Sequence, residues 1–140
     1  MERQLRTHQV ARVGELLKAR GETVAVAESS TGGLLAASLL SVAGASAYLL
    51  GGSVVYTLKS RRELLKISAT DVEGLSPLSE PMVERFAARA REKLDATWGI
   101  AELGADGPAG ARYGHPAWTC VLAVVGPVTL TTTCLLYTSD

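Results

Sequence analysis

A cluster of residues that can do chemistry has the sequence Glu28-Ser29-Ser30-Thr31-Gly32-Gly33. It follows a short β-branched run, 23–27, and precedes a run without β-branched residues, 34–40, so the pattern predicts a turn between a strand and a helix. One of its hydroxyl groups, that of Ser30 or Thr31, can cap this helix, and the paired glycines let a ligand approach the backbone N–H groups at its positive end. A phosphate, a carboxylate or an oxyanion would be stabilised there, and the alternative is an ordinary capped turn. The spacing matches neither a P-loop, nor G-x-G-x-x-G, nor G-x-S-x-G.

Two further segments are candidates because ligands of open α/β sheets lie beyond the carboxyl ends of the strands. They are the segment from Tyr56 to Arg61 and the Gly/Pro-rich loop from Gly104 to Pro116. Asp106 and His115 share that loop and can form an acid–base pair, the alternative for each being a solvated surface position.

Composition narrows the class of protein. In 140 residues, 47% are hydrophobic and 20% charged, which predicts one globular domain with a core and excludes a disordered chain. Fourteen basic residues offset fourteen acidic ones, so neither nucleic acid nor an anionic membrane is an expected partner. The two cysteines form neither a disulfide framework nor a zinc spacing, and no metal site is predicted. The polar N-terminus lacks the apolar core of a signal peptide, so we expect a cytoplasmic protein.

The stretch between Glu28 and Lys59 contains no charged residue and is long enough to span a bilayer. Serines and glycines divide it into pieces shorter than a spanning helix. We therefore interpret it as a buried helix followed by a buried strand.

Segments with the hydrophobic periodicity of a helix alternate along the chain with segments typical of a strand. The pattern predicts helices over 2–20, 34–40 and 59–65 and one opened by Ser79-Glu80-Pro81. It predicts strands over 23–27, 51–56, 97–103, 118–125 and 128–132, the last two of which can form a hairpin around Gly126-Pro127. Alternation of this kind predicts a three-layer α/β/α domain with a mainly parallel, mixed central sheet.

The run 28–33 resembles the A-E-S-C-T-G-G signature of the CinA C-terminal domain family, whose active members are nicotinamide-nucleotide amidohydrolases. The resemblance continues in order along nearly the whole chain, through Gly44-Ala45-Ser46-Ala47-Tyr48, Gly51-Gly52, Val55-Tyr56-Thr57, Leu64-Leu65, Leu78-Ser79-Glu80 and Gly104-Ala105-Asp106-Gly107-Pro108. It implies an enzyme that hydrolyses the carboxamide of nicotinamide mononucleotide to nicotinic acid mononucleotide and ammonia. The expected partner is this small nucleotide, and no metal or cofactor is implied.

The resemblance also assigns residues to roles. Ser29 takes the place of the nucleophile, and Tyr56 and Arg61 complete the implied catalytic set. The loop that begins at Gly104 is expected to close over the ribose phosphate. Contacts with the substrate are implied for Glu28, Ser30, Thr31, Gly32, Gly33, Ser46, Gly104 and Gly107.

Departures from the family pattern indicate a divergent branch. The family has Y-S-N-E-A-K, whose lysine is thought to act as the base, and here Arg61 takes that place. Because arginine keeps its proton in proteins, Arg61 is excluded as a general base, although it can bind phosphate or stabilise an oxyanion. Leu103 replaces a family threonine and Asp106 an alanine. The alternative function is therefore a non-catalytic nucleotide-binding relative.

The C-terminus departs further. Family members continue into a closing strand and a long helix that covers one face of the sheet. The last seven residues, Cys134 to Asp140, instead resemble the translation of a common sequencing-library adapter. We expect residues 1–133 to be a C-terminally truncated domain and 134–140 a non-native tail, which the nucleotide record tests. The apolar surface left uncovered is one that a second copy of the chain can cover.

Overall fold

A mixed sheet of five strands organises the chain, in the order β2-β1-β3-β4-β5. The computed structural model describes the backbone of residues 2–105 and 119–135 and the side chains of 7–105 and 119–135. The strands are β1 (Val24–Glu28), β2 (Leu49–Val54), β3 (Trp98–Ala105), β4 (Thr119–Val125) and β5 (Thr129–Leu135). The helices are α1 (Glu2–Arg20), α2 (Leu34–Leu40), α3 (Leu58–Leu65) and α4 (Glu80–Leu94). β1 pairs in parallel with β2 and β3, and β3, β4 and β5 are antiparallel, which confirms the predicted α/β class with a mixed sheet.

The α4 face of the sheet holds the larger core. Ser79 begins the helix by accepting a hydrogen bond from the backbone N–H of Met82 at 3.3 Å, and Pro81 lies in the first turn, as predicted. The amphipathic face of α4 then packs on alternate residues of the central strands. The fully buried members of this core include Ala27, Val55, Val83, Phe86, Ala101, Leu103 and Val121.

The opposite face, under α1 and α2, is covered less completely. Its buried core contains Leu17, Val24, Val26, Leu39, Ala45 and Tyr48. Burial raises the pKa of the Tyr48 hydroxyl. On α1, Leu17 is buried, but Val13 and Leu16 remain 42% and 49% exposed, so part of the apolar surface of this helix is not covered by the described residues.

The interpretation of the charge-free stretch as a buried helix and a buried strand is wrong. Leu34 and Leu40 of α2 are 68% and 64% exposed, and β2 is one of the two edge strands of the described sheet, with every second residue exposed. Composition alone does not distinguish an edge strand from a central one. Within the described residues, none of the helices is long and apolar enough to cross a membrane.

The ends of β2 and β5 differ from the prediction. β2 ends at Val54, so Tyr56 lies beyond the strand, because the last ladder contact is the hydrogen bond from the N–H of Val55 to the carbonyl of Glu28. The predicted β4–β5 hairpin is confirmed, and β5 continues to Leu135. Cys134 thus pairs with Cys120 in the ladder. Residues 136–140 lie outside the described part, and the origin of the tail stays a prediction.

Candidate active site

The carboxylate of Glu28, at the end of β1, begins α2. The side chain is 1% exposed and accepts hydrogen bonds from the backbone N–H groups of Gly33 (3.2 Å), Leu35 (3.0 Å) and Ala36 (2.9 Å). Gly33 occupies the N-cap position at φ 110°, a left-handed conformation that favours glycine. The prediction that Ser30 or Thr31 caps this helix is therefore wrong. An external anion finds these three N–H groups already occupied by the protein's own carboxylate.

A second buried carboxylate, that of Glu102 on β3, holds the turn itself. Glu102 is 0% exposed, and its Oε1 accepts from the N–H of Ser29 (3.0 Å) and the N–H of Thr31 (2.9 Å). Its Oε2 accepts from the hydroxyl of Ser30. Sequence reasoning missed Glu102. The available signal was a charged residue within the apolar run of a strand that lies between two others, where both faces are covered.

The hydroxyl of Thr31 lies between the two carboxylates. Its Oγ1 is 2.6 Å from Oε1 of Glu28 and 2.7 Å from Oε1 of Glu102. No lysine, arginine or histidine among the described side chains forms an ion pair with either carboxylate. Both are stabilised by N–H and O–H donors, and the network links the ends of two neighbouring strands into one rigid unit.

Ser29 is held by its backbone. The residue is 5% exposed, and its N–H is bound to Glu102, while its carbonyl accepts from the N–H of Gly32 at 3.2 Å. Within the described part of the chain, no hydrogen-bond partner is recorded for its hydroxyl. The structure thus fixes the position of Ser29 through the hydrogen bonds of its backbone.

Gly104 belongs to β3 and not to the following loop, and it lies directly against the turn. A Cβ at this position would overlap the hydroxyl oxygen of Ser30 and lie 3.0 Å from Oε2 of Glu102. The absence of a side chain here is what leaves room for the Ser30–Glu102 contact. Gly107, Asp106 and His115 lie outside the described residues.

Arg61 approaches the same strand end from α3. Its Nε donates to the carbonyl of Val55 at 3.2 Å, and the N–H of Val55 donates to the carbonyl of Glu28 at 2.7 Å, so one residue separates Arg61 from the end of β1. The guanidinium lies 5.1 Å from the centroid of the Phe86 ring, a cation–π contact. Tyr56 is 71% exposed, and none of the recorded contacts joins it to the turn.

A cavity of about 510 Å³ opens beside Arg61. It is lined by Leu58, Arg61, Arg62, Ile67, Ser68, Ala69, Val72, Leu75, Pro77, Met82 and Phe86. The lining combines an apolar wall with the guanidinium groups of Arg61 and Arg62. Asp71 lies in the sequence between two lining residues, and hydrogen bonds from the backbone N–H and the hydroxyl of Ser68 lower the pKa of its carboxyl group. The apolar wall and the two guanidinium groups suit a small organic anion.

Ser46 lies near the amino ends of the strands, at the end of the sheet opposite the turn. It belongs to the short 3-10 helix Ala45–Ala47, and the following residue, Tyr48, accepts from the N–H of Val24 at the start of β1 (2.8 Å). The length of β1 separates it from Glu28 by about 13 Å, at roughly 3.3 Å per residue. The crossover through α2 returns the chain to this end, so the structure does not bring Ser46 to the turn. No three His, Cys, Asp or Glu side chains come together as metal ligands within the described ranges.

Comparison with known proteins gives a consistent result. The family model of the CinA C-terminal domain matches residues 6–140. A CinA-like protein of Acaryochloris marina is 44% identical over 115 residues, which are 82% of this chain and 27% of that protein, and one of Prochlorococcus marinus is 42% identical over 113 residues, 81% and 26%. A crystal structure of a competence-damaged protein (CinA) superfamily member from Klebsiella pneumoniae superposes with a TM-score of 0.86 at 31% identity, covering 96% of this chain and 84% of that one. The chain thus spans about a quarter of the length of these curated relatives.

Proposed function

Because the chain belongs to the CinA C-terminal domain family, we propose that it hydrolyses the carboxamide of nicotinamide mononucleotide to nicotinic acid mononucleotide and ammonia. One observation carries the proposal. The carboxyl end of β1 presents two serine hydroxyls on a turn whose backbone is fixed by two buried carboxylates. Amide hydrolysis through a covalent intermediate needs a hydroxyl held in this way.

The position of Arg61 supports binding of the substrate's phosphate. Its guanidinium lies one residue from the end of β1 and lines the cavity of about 510 Å³, within the roughly 300–1,000 Å³ typical of small-molecule sites. A guanidinium is a strong ligand for phosphate oxygens and stays protonated. Arg61 therefore acts in binding, and the base must be another group.

The second candidate function is nucleotide binding without catalysis. The observation in its favour is the same arginine, which stands where the family resemblance places a lysine base. Both candidates use the cavity and Arg61, and they differ in whether a turn hydroxyl reacts.

Ammonia release from nicotinamide mononucleotide separates the two functions. We expect the chain to release ammonia and the double variant Ser29→Ala/Ser30→Ala to release none, with calorimetric binding of the nucleotide retained in both. Ser38→Ala is the matched control, because its exposed hydroxyl lies on α2 and, among the described residues, donates to the carbonyl of Leu34 at 2.7 Å. Binding without turnover by the unmodified chain would establish the binding relative, and turnover by the double variant would exclude a turn serine as nucleophile.

The proposed binding of the substrate's phosphate by Arg61 is tested by a separate measurement. Arg61→Gln should raise KM by about 10-fold or more with little change in kcat, since a hydrogen bond to a charged group contributes about 1.5–3 kcal/mol. Lys59→Gln removes a charge from the exposed side of the same helix, outside the cavity lining, and should leave KM unchanged. Equal effects of the two substitutions would show that general charge, and not a bound phosphate, is responsible.

A further inference from the structure

The two serines of the turn differ in what their hydroxyls contact. The Ser29 hydroxyl has no recorded partner in the described part of the chain, whereas the Ser30 hydroxyl is bonded directly to Oε2 of Glu102. Ser30 is also the more accessible of the two, being half-buried where Ser29 is 5% exposed. A hydroxyl bonded to a carboxylate has its proton acceptor already in place.

The two oxygens of Glu102 are used differently. Oε1 accepts from the N–H of Ser29, the N–H of Thr31 and the Thr31 hydroxyl. Oε2 accepts only from Ser30 among the described residues, so it keeps a lone pair for a proton. Oε1 therefore holds the carboxylate in place, and Oε2 faces the hydroxyl.

The backbone N–H groups of the turn differ in their acceptors. Those of residues 29, 31, 33, 35 and 36 are bound by the two carboxylates, and those of Gly32 and Leu34 by the carbonyls of Ser29 and Thr31. The N–H of Ser30 has no acceptor recorded in the described part. The N–H of a serine nucleophile is one of the donors that stabilise the oxyanion formed on attack.

From these contacts we infer that Ser30 and Glu102 are the nucleophile and the general base of this chain. The inference rests on the proposed hydrolysis of an amide, and it reassigns the attacking hydroxyl from Ser29 to Ser30. It also supplies the base that Arg61 cannot provide. Gly104 is part of the arrangement, because any side chain there would displace the Ser30 hydroxyl.

The step balances without a co-reactant. Ser30 Oγ forms a bond to the carboxamide carbon while its proton passes to Oε2 of Glu102, and the N–H of Ser30 donates to the oxyanion. The C–N bond then breaks as that proton passes to the nitrogen, so ammonia leaves and an ester remains on Ser30. Water attacks the ester and gives one proton to Glu102, which returns it to Ser30 Oγ as the carboxylic acid is released.

A fluorophosphonate probe tests the pair without depending on the nucleotide, because it phosphonylates an activated serine. We expect the chain to gain one probe mass, assigned to Ser30 by fragmentation of the peptide. Ser30→Ala and Glu102→Gln should slow labelling about 100-fold or more, the usual scale of general-base catalysis. Ser29→Ala should stay within about 3-fold of the unmodified chain, well below that scale.

Glu102→Gln keeps an acceptor oxygen for the two N–H groups, and its amide donates to Ser30, so the turn is preserved while proton uptake is lost. Glu80→Gln is the matched control, since it alters a carboxylate that also accepts from hydroxyl groups, those of Thr131 and Thr133, and none of its recorded hydrogen bonds reaches the turn. We expect it to keep labelling, with folding of every variant checked by circular dichroism.

Failure of the pair and failure of the proposed function give different results. Labelling at Ser30 without ammonia release would leave the pair standing and reject the substrate. Ammonia release that persists in Ser30→Ala, or labelling lost in Ser29→Ala and kept in Ser30→Ala, would reject the pair. An unmodified chain that is not labelled would overturn it as well.

Discussion

Two strand-to-helix junctions lie at the carboxyl edge of the sheet, and they begin their helices with different chemistry. At β2–α3, the Thr57 hydroxyl accepts from the N–H of Ser60 (3.1 Å) and the Ser60 hydroxyl accepts from the N–H of Thr57 (2.9 Å). This is a capping box, made by neighbours and exposed to solvent. At β1–α2, a strand-end carboxylate caps the helix, and a second carboxylate from a strand more than 70 residues away binds the turn.

The difference shows that the β1–α2 junction does more than start a helix. A capping box satisfies a helix N-terminus at little cost, whereas removing a carboxylate from water costs several kcal/mol unless its hydrogen bonds are well made. Glu28 and Glu102 together have eight contacts within hydrogen-bond distance, two of which share the single proton of the Thr31 hydroxyl. Places where a chain departs from the local rules for starting a helix concentrate at functional sites.

The largest effect on stability is expected from Glu28→Ala. It leaves three N–H groups at the start of α2 without their acceptor, and each buried unsatisfied group costs about 1–3 kcal/mol. We expect the free energy of unfolding in urea to fall by roughly 3–5 kcal/mol in total, as for other broken buried networks. A loss no greater than that of a capping-box variant would remove the distinction between the junctions.

Gly104→Ala should disturb the first junction without changing any charge. The added methyl overlaps the Ser30 hydroxyl and crowds Oε2 of Glu102, and overpacking of this kind costs about 1–3 kcal/mol. Thermal unfolding measures the loss. Gly52→Ala in β2 is the control for the substitution itself, because this glycine also lies in a strand without a left-handed φ and a Cβ there meets no atom closer than 3.3 Å. If Gly104→Ala costs no more than this control, the turn is not tightly packed against β3.

Thr57→Ala should have a smaller effect. It removes one hydroxyl of the exposed capping box, and the loss of an N-cap costs about 1 kcal/mol. Urea denaturation with Thr57→Ser as the rescuing variant gives the contribution of the cap. A loss as large as that of Glu28→Ala would mean that the second junction is no simpler than the first.

The smallest effect is expected from a half-buried carboxylate outside both junctions. The hydroxyls of Thr133 and Thr131 lower the pKa of Glu80, which ties the start of α4 to β5. A lowered folded-state pKa stabilises the fold above the ordinary value of 4.5, and this contribution is lost as the pH falls below it. Glu80→Gln should therefore lower Tm slightly at pH 7 and make no difference near pH 3. A gap between the two chains that widens in acid would contradict this account.

Much of the fold was accessible to sequence reasoning because local signals determine it. The cap at Ser79 and the proline behind it predicted α4, and the Gly126-Pro127 turn predicted the hairpin of β4 and β5. Local signals failed at β2, where a β-branched pair, Val54 and Val55, extended the predicted strand by two residues past its last ladder partner.

In the candidate site too, local signals predicted some features and missed others. The run of hydroxyls and glycines identified the turn. The predicted helix cap, Ser30 or Thr31, was wrong because the carboxylate of Glu28 accepts the N–H groups at the start of α2. Glu102 was missed since its partners lie more than 70 residues earlier in the chain. Ser46 was included on resemblance alone, and the crossover places it at the opposite end of the sheet.

By itself the sequence determined the alternation of strands and helices, the family resemblance and the turn that holds the hydroxyls. Those properties depend on residue periodicity, capping and spacing, which act between neighbours. Only the tertiary structure decided which carboxylate meets which hydroxyl, because the parallel pairing of β1 with β3 brings Glu28 and Glu102 to the same edge and face of the sheet. A buried charge is stable only where donors from distant segments converge on it, and that convergence is a property of the folded chain.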